Sequence, residues 1–318
     1  CALPMPGTEV FGFFYNKDLL AEAGYKNPPK TTAELMEYSK KLTTFDKDGN
    51  ITRAGFVPKS GYYGWGMESM WLGQAFGARW YNADGSSAFG SDPRWAKMLT
   101  WQKKFIADVY GGGDFTKGTK ALTKFTASRG GEWGEKHDFI TGRVAMKMDA
   151  NWMATLYCTG DAWALADKCT KVNIGVTGFP TDASVTKTHS GSGVVGYPLA
   201  GISKTSKNVK GAWIVLKGLA TDTTLSFQYD KVGGAPSPLK SAAAKPSGLP
   251  SWYEPFYSIQ SNPKSVYHLL PNTGEHKDED LIATLMAAWQ DGAIDDLKGA
   301  LRDTAEKVDA IVARNQTD

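Results

Sequence analysis

The stretch that most constrains the fold is "FGFFYNKDLLAEAGYKNPPKTTAELMEYSKKLTTFDKDGN", from Phe11 to Asn50. Val10 to Tyr15 is a short apolar run of strand type. Asn16 ends it and stands where a side-chain oxygen caps the helix of "KDLLAEAG", with Gly24 closing that helix. Pro28 and Pro29 stop further helix. Thr31-x-x-Glu34 is a capping box, and Leu35, Tyr38, Ser39 and Leu42 then follow one helical face. A strand followed at once by capped helices is the start of an α/β chain.

The same alternation continues. "FDKDGNIT" has the first ligands of a calcium loop but lacks the closing Glu, so a hairpin turn at Asp48-Gly49 is expected. "DPRWAKMLTWQKKFIADVYG" predicts a long amphipathic helix after Asp92-Pro93. "GGGDFTKGTK" lacks the adjacent Gly-Lys-Ser/Thr of a phosphate loop and reads as a flexible connection. A turn at Gly142 leads to a strand from Val144 to Met148 that halts at Asp149. "VNIGVTGFP" and the run through Ala200–Ile202 read as further strands. "VKGAWIVLKGLATD", "DTTLSFQYDKVGG", "DEDLIATLMAAWQDG" and "IDDLKGALRDTAEKVDAIVARN" read as helices. Alternating strands and helices over 318 residues, enough for about two domains, give an α/β class.

Net charge is +3 with no dense basic run, which disfavours nucleic acid. Apolar runs fall short of the ~18 residues of a membrane span. The first residues lack the basic and apolar regions of a signal peptide, so a signal is expected to have been removed, or the chain to start internally. The three cysteines show no zinc spacing, and the expectation is no metal and no cofactor. Aromatics stand out: 11 Trp and 13 Tyr, many beside Gly, Ser, Pro or Asn, as in "SGYYGWG", "ANWMA" and "PSWYEPFY". One such residue is most simply loop packing, whereas several together suggest a flat apolar binding surface.

Catalytic patterns are weak. There is no Gly-x-Ser-x-Gly elbow. The four histidines, His137, His189, His268 and His276, lack ligand spacing. Glu132, Glu135 and Asp138 fit a solvated charged face better than an acid–base pair. An enzyme is not expected.

Five strings in fixed order carry a resemblance. "FGFFYNKDLLAEAGYKNPPKTTAELMEYSKKLT", "FITGRVAMKMDANW", "VNIGVTGFP", "GISKTSKNVKGAWIVLKGLAT" and "GGAPSPLKSA" resemble extracellular solute-binding proteins of carbohydrate ABC importers. These are maltose-binding-protein-like, and the pattern is closest to the binding lipoproteins of actinobacterial-type sugar importers. The resemblance implies a two-lobed periplasmic-binding-protein-like fold of type II, α/β throughout. The second lobe would be complete and the first only partly present. Residues 1–10 would enter the hinge, 11–171 and 234–318 would form the second lobe, and 172–233 a first-lobe remnant with crossing strands. It also implies an extracytoplasmic, membrane-anchored lipoprotein at the cell surface or in the periplasm, a monomer, partnered by a carbohydrate and by importer permease subunits.

Site residues carry over individually. Glu9 falls where the family has a carboxylate that accepts sugar hydroxyls. Trp152 falls on the family's tryptophan after the Val-Ala-Met strand, an indole that stacks on a sugar ring. Asp149 ends the same strand and is an acceptor or a turn cap. Tyr62, Tyr63 and Trp65 fall on a second aromatic platform, with Tyr63 and Trp65 on one face and Tyr62 opposite if the segment is extended. Ser190, Gly191, Ser192 and Gly193 match a glycine-rich loop, alternatively plain loop. Glu275 and His276 lie in the family's last binding loop. The alternatives are a non-sugar solute, either glycerol phosphate or a polyamine, and a carbohydrate-active enzyme, for which no carboxylate pair stands out. Aromatics with one Glu favour a neutral sugar.

Cys158 and Cys169 flank "TGDAWALADK" and fit either a disulfide in an oxidising compartment or two separate small buried residues. A bridge closes about a dozen residues, worth roughly 2–3 kcal/mol. Alkylation of unreduced protein decides: two protected thiols are the outcome of a bridge, two labelled thiols of its absence.

Overall fold

The structure, a computed structural model, describes residues 2–5, 8–63, 67–128, 130, 136–153, 172–196, 199–221, 251–265 and 277–315. Strand β2 (Glu9–Asn16) is the centre of the main sheet. One edge pairs antiparallel with β5 (Val144–Ala150), in register Phe11↔Ala150 through Tyr15↔Met146. The other edge pairs with β6 (Ile174–Thr177) along Phe13–Asn16 and with β7 (Val194–Gly196) along Glu9–Phe11. β4 (Ile51–Phe56) runs parallel to β5, and β3 (Thr44–Phe45) completes the order β3-β4-β5-β2-β6. A separate two-stranded ladder joins β1 (Ala2–Pro4) to β8 (Leu199–Gly201).

The caps behave as their chemistry dictates. Asn16 accepts the amides of Asp18 and Leu19 and starts α1 (Lys17–Glu22). Gly24 follows the helix at φ +82°, a conformation that favours glycine. Thr31 and Glu34 form a complete capping box on α2 (Thr32–Leu42), which buries Leu35, Ser39 and Leu42 against β4. Asp46 accepts the amides of Asp48 and Asn50, so the acidic loop is a hairpin turn. Asp92 caps the long helix α4 (Pro93–Tyr110), which lies after α3 (Met67–Phe76).

Two expectations are corrected. "GGGDFTKGTK" is not a loose connection: Asp114 accepts the Lys117 amide and starts α5 (Phe115–Ala127). Gly118, inside that helix, lets its backbone press on Ile106, since a Cβ there would lie 2.4 Å from the Ile106 carbonyl. The strand expected to halt at Asp149 runs on to Ala150, because Phe11 pairs with that residue. Within 172–233, β6 and β7 pair with one edge of β2, while β8 pairs with β1. The helix read in "DTTLSFQYDKVGG" lies outside the described residues.

β2 is buried on both faces, which is why its residues are apolar without polar alternation. Phe11 and Phe13 face a large core with α2, α3, α4, α5 and the C-terminal helices α9 (Lys277–Gln290) and α10 (Leu297–Asn315). Val10 and Phe14 face a second core with Phe139, Tyr253, Phe256 and Ile259. Phe256 and Ile259 sit on α8 (Pro255–Ser261), after the short helix α6 (Thr186–His189) and α7 (Val209–Leu219). "PSWYEPFY" therefore supplies core: Tyr253 and Phe256 are wholly buried rather than part of a binding surface.

Helix α7 has the reverse pattern. Leu216 is its one buried residue, while Trp213, Ile214, Val215 and Leu219 are exposed, Ile214 by 71%. Contiguous apolar exposure of this kind marks a surface made to be covered. In this chain Ile214→Ser should change stability by less than about 0.5 kcal/mol, whereas Leu216→Ala should cost about 2 kcal/mol. Urea denaturation checks the contrast, and comparable losses would mean that Ile214 is covered in solution.

Candidate functional site

β4 and β5 are parallel, so their C-terminal ends share one edge of the sheet, and antiparallel β2 begins at that edge. Open α/β sheets place ligands beyond such strand ends. Glu9, Asp149, Trp152 and the loop carrying Tyr62 and Tyr63 all fall there. The Ser190–Gly193 segment leads into β7, which pairs with Glu9–Phe11.

Trp152 follows β5 directly. It is half-buried and stands edge-on to Phe11, with ring centroids 5.0 Å apart at 87°. The β5 ladder ends at Phe11↔Ala150, Trp152 lies in the turn just beyond it, and Glu9 pairs with Gly196 on the other edge of β2. The joint is held by Asn151, which sequence reasoning missed. Its Oδ1 accepts the Val10 amide at 2.9 Å, and its Nδ2 donates to the Thr8 carbonyl and to Tyr253 Oη. The Asn151 amide in turn donates to the Val10 carbonyl. Its signal in the sequence was an amide side chain at the end of an apolar strand, where it can bridge two backbones.

Asp149 is half-buried, and its Oδ2 lies 2.5 Å from Lys147 Nζ. Lys147 is buried, and desolvation lowers its pKa while the Asp149 charge opposes that shift. Lys147 also contacts His137 Nε2 at 3.1 Å and lies over the Tyr63 ring. Burial, and then the Lys147 charge, push the His137 pKa down to about 3, so this imidazole is neutral near pH 7.

The platform loop is bent, not extended, and Tyr62 and Tyr63 do not point to opposite faces. Their rings meet at 4.8 Å, and Tyr63 also packs on Trp71 at 4.9 Å. Tyr62 Oη donates to Asp138 Oδ2 at 2.6 Å, and Asp138 Oδ1 pairs with Arg143. Asp138 is thus a buried structural acceptor rather than part of a solvated face. The root of the loop is fixed by Tyr110 Oη on the Phe56 carbonyl and by Gln102 on the Pro58 carbonyl. Gln290 on α9 accepts the Ser60 amide at 2.9 Å.

Ser192 is fully buried. Its hydroxyl donates to the His189 carbonyl and accepts from Gln74. The Ser190 carbonyl accepts from Asn262, and a Cβ on Gly193 would lie 2.0 Å from the Phe11 carbonyl. Close strand approach, not ligand approach, explains the glycine. Gly191 has φ +74° and packs against Gly178. Trp65, Glu275, His276, Cys158 and Cys169 lie outside the described residues. Among the described residues no group of His, Cys, Asp or Glu is arranged to hold a metal ion. No described helix is long and apolar enough to cross a membrane.

At the first turn of α9, burial together with Asp278, Asp280 and Glu9 pushes the Glu279 carboxyl group up to about 8. The folded chain therefore holds this proton more tightly than the unfolded chain, whose Glu titrates near 4.5. Stability carried by the protonated form is lost as pH rises from about 4.5 to about 8. Glu279→Gln should then stabilise the chain more at pH 8.5 than at pH 5, by on the order of 2 kcal/mol. Denaturant titrations at the two pH values check this, and an equal effect at both would mean that Glu279 is ionised throughout.

No curated protein sequence matches the chain. Solved structures do match its fold. CpMnBP1 with mannotriose bound superposes with a TM-score of 0.75 at 22% identity, over 96% of this chain and 72% of that one. The sugar-binding protein MalE from Xanthomonas citri gives 0.65 at 17%, over 97% and 70%. The cyclic α-maltosyl-1,6-maltose binding protein from Arthrobacter globiformis gives 0.61 at 16%, over 100% and 72%. These likenesses establish the α/β solute-binding-protein fold. The family model of bacterial extracellular solute-binding proteins matches residues 1–223, most of the chain. With its fold and the greater part of its sequence agreeing, the chain belongs to the family of bacterial extracellular solute-binding proteins.

Proposed function

We propose that the chain binds a neutral oligosaccharide outside the cell and delivers it to the membrane permease of an ABC importer, without catalysis of its own. The observation that carries this reading is the half-buried Trp152 indole, braced edge-on by Phe11 just beyond the end of β5, at the end of the sheet where β2 begins with Glu9. The C–H face of a sugar is apolar and buries well on a flat indole, while its rim of hydroxyls needs acceptors. Glu9 and Asp149 supply acceptors at the same end of the sheet. A phosphate ligand fits less well, because Lys147 at this end is buried and engaged by Asp149. The structural relatives bound to mannotriose and described as sugar-binding or chitin-oligosaccharide-binding support the class of ligand.

The second wall of the site would come from a first lobe, of which β1, β8 and α7 form part. The apolar face of α7 is then where the rest of that lobe packs. We read the protein as a monomer held at the cell surface by a lipid anchor, in keeping with the family's extracellular character. Sugar affinity needs both walls, and ligand would favour a closed arrangement of them.

Calorimetry with mannotriose, maltotriose and chitotriose tests the reading on protein that carries both lobes. Trp152→Ala should cost about 1.5–3 kcal/mol of binding with a smaller loss of folding stability. Unchanged affinity, or a collapsed melting temperature with affinity intact, would assign Trp152 to the core.

A further inference from the structure

Glu68 stands near the start of α3 and is only 2% exposed, an unusual place for a carboxyl group. Its Oε1 accepts the Tyr63 amide at 2.9 Å, and the amides of Gly61 and Tyr62 lie close enough to favour its charge. Its Oε2 is buried without a hydrogen-bond partner, as are Tyr63 Oη and Trp71 Nε1. Trp71 is one turn further along α3. Its ring packs on Tyr63 at 4.9 Å and on Phe11 at 5.8 Å, and Phe11 braces Trp152. One face of α3 therefore holds the backbone of the Tyr62–Tyr63 loop through Glu68 and its ring through Trp71.

We propose that Glu68 is the positioning residue of the aromatic wall: it clamps the Tyr62–Tyr63 loop to α3 through backbone amides, and the clamp tightens when its carboxyl group is ionised. An ionised acceptor binds amides more strongly than a neutral acid. Burial opposes that charge and the loop amides favour it, and the balance falls at about 7. The other groups at this point are Tyr62 and Tyr63 in the loop, Lys147 and Asp149 on β5, and Tyr110 on α4. α9 brings Asp278 and Glu279 at its first turn, and β7 carries no titratable group. Lys147 and Asp149 are engaged with each other, and the Tyr63 amide, the Glu68 amide itself and the Gly61 and Tyr62 amides are what stabilise the Glu68 charge. The clamp itself stands on contacts within the chain; its effect on affinity rests on the sugar-binding reading.

The test uses the full 318-residue chain. Tryptophan emission is followed between pH 5.5 and 8.5 in the wild type, Glu68→Gln and Glu279→Gln. The expected wild-type change is centred near pH 7, is retained in Glu279→Gln and is absent in Glu68→Gln. The proposal is overturned if Glu68→Gln keeps the transition or if the wild type has none. If Glu68→Gln does not fold, amide exchange at Tyr63 in the wild type decides. Protection corrected for intrinsic rates should rise from pH 6 to pH 8, and constant protection refutes the clamp. In a second arm, mannotriose is titrated calorimetrically into protein that carries both lobes, where the site has its two walls. The wild type should bind roughly fivefold more tightly at pH 8 than at pH 6, the margin between a charge-assisted and a neutral hydrogen bond. Glu68→Gln should lose that gain and Glu279→Gln keep it. Absence of sugar binding at every pH would sink the sugar reading, while the emission and exchange data would still decide the clamp.

Discussion

Everything in this lobe depends on β2 having a partner along each edge and a core on each face. Eight residues, Glu9–Asn16, pair with β5 on one side and with β6 and β7 end to end on the other. Such a strand cannot alternate polar and apolar side chains, because neither face meets water. It also cannot shift by one residue, since that would exchange the faces of Phe11 and Phe13 with those of Val10 and Phe14. The register fixed in this way sets Gly12 opposite Asp149 and Phe11 opposite Ala150. Gly12 is small because Ile259 and Val176 already fill the space where its Cβ would be, at 3.0 and 3.1 Å.

Two ion pairs with buried members lie beside this apolar axis. Buried ion pairs give weak net stabilisation, but leaving one partner alone is costly. Lys147 with Asp149 and Arg143 with Asp138 obey that rule, and each also touches the aromatic loop: Lys147 lies over Tyr63, and Asp138 accepts from Tyr62. The polar network beneath the loop thus fixes ring positions. In the proposed sugar-binding role such rigidity would matter, because ordering loose side chains on binding costs affinity.

Local signals made much of the fold legible. Asn16, the Thr31–Glu34 box and Asp92-Pro93 mark helix starts through side-chain acceptors that the backbone needs, and each acts as its type requires. What stayed hidden has an equally physical cause. "MESMWLGQAF" is apolar on nearly every side, so α3 shows no amphipathic period and was not anticipated. Asp114 was obscured by the three glycines before it. Aromatic residues beside glycine or proline gave no guide to exposure. Trp71, Trp80, Trp95 and Tyr253 are all buried, whereas Trp152 is half-buried. Which aromatics form a wall and which form core is decided by packing between segments distant in sequence, such as Phe11 against Trp152. Ser192 illustrates the same limit: its burial depends in part on Gln74, a partner 118 residues away that its glycine-rich setting does not reveal.

The position of α3 links these points. It packs on α4, α9 and β7, so it is fixed by the same core that β2 organises. From that rigid base Glu68 and Trp71 reach the loop, and Trp71 reaches Phe11. The chain of contacts runs from the loop through Tyr63 and Trp71 to Phe11 and ends at Trp152. Two buried rings, Trp71 and Phe11, thus join Tyr63 to Trp152, and rings packed edge to face in one core cannot be repositioned singly.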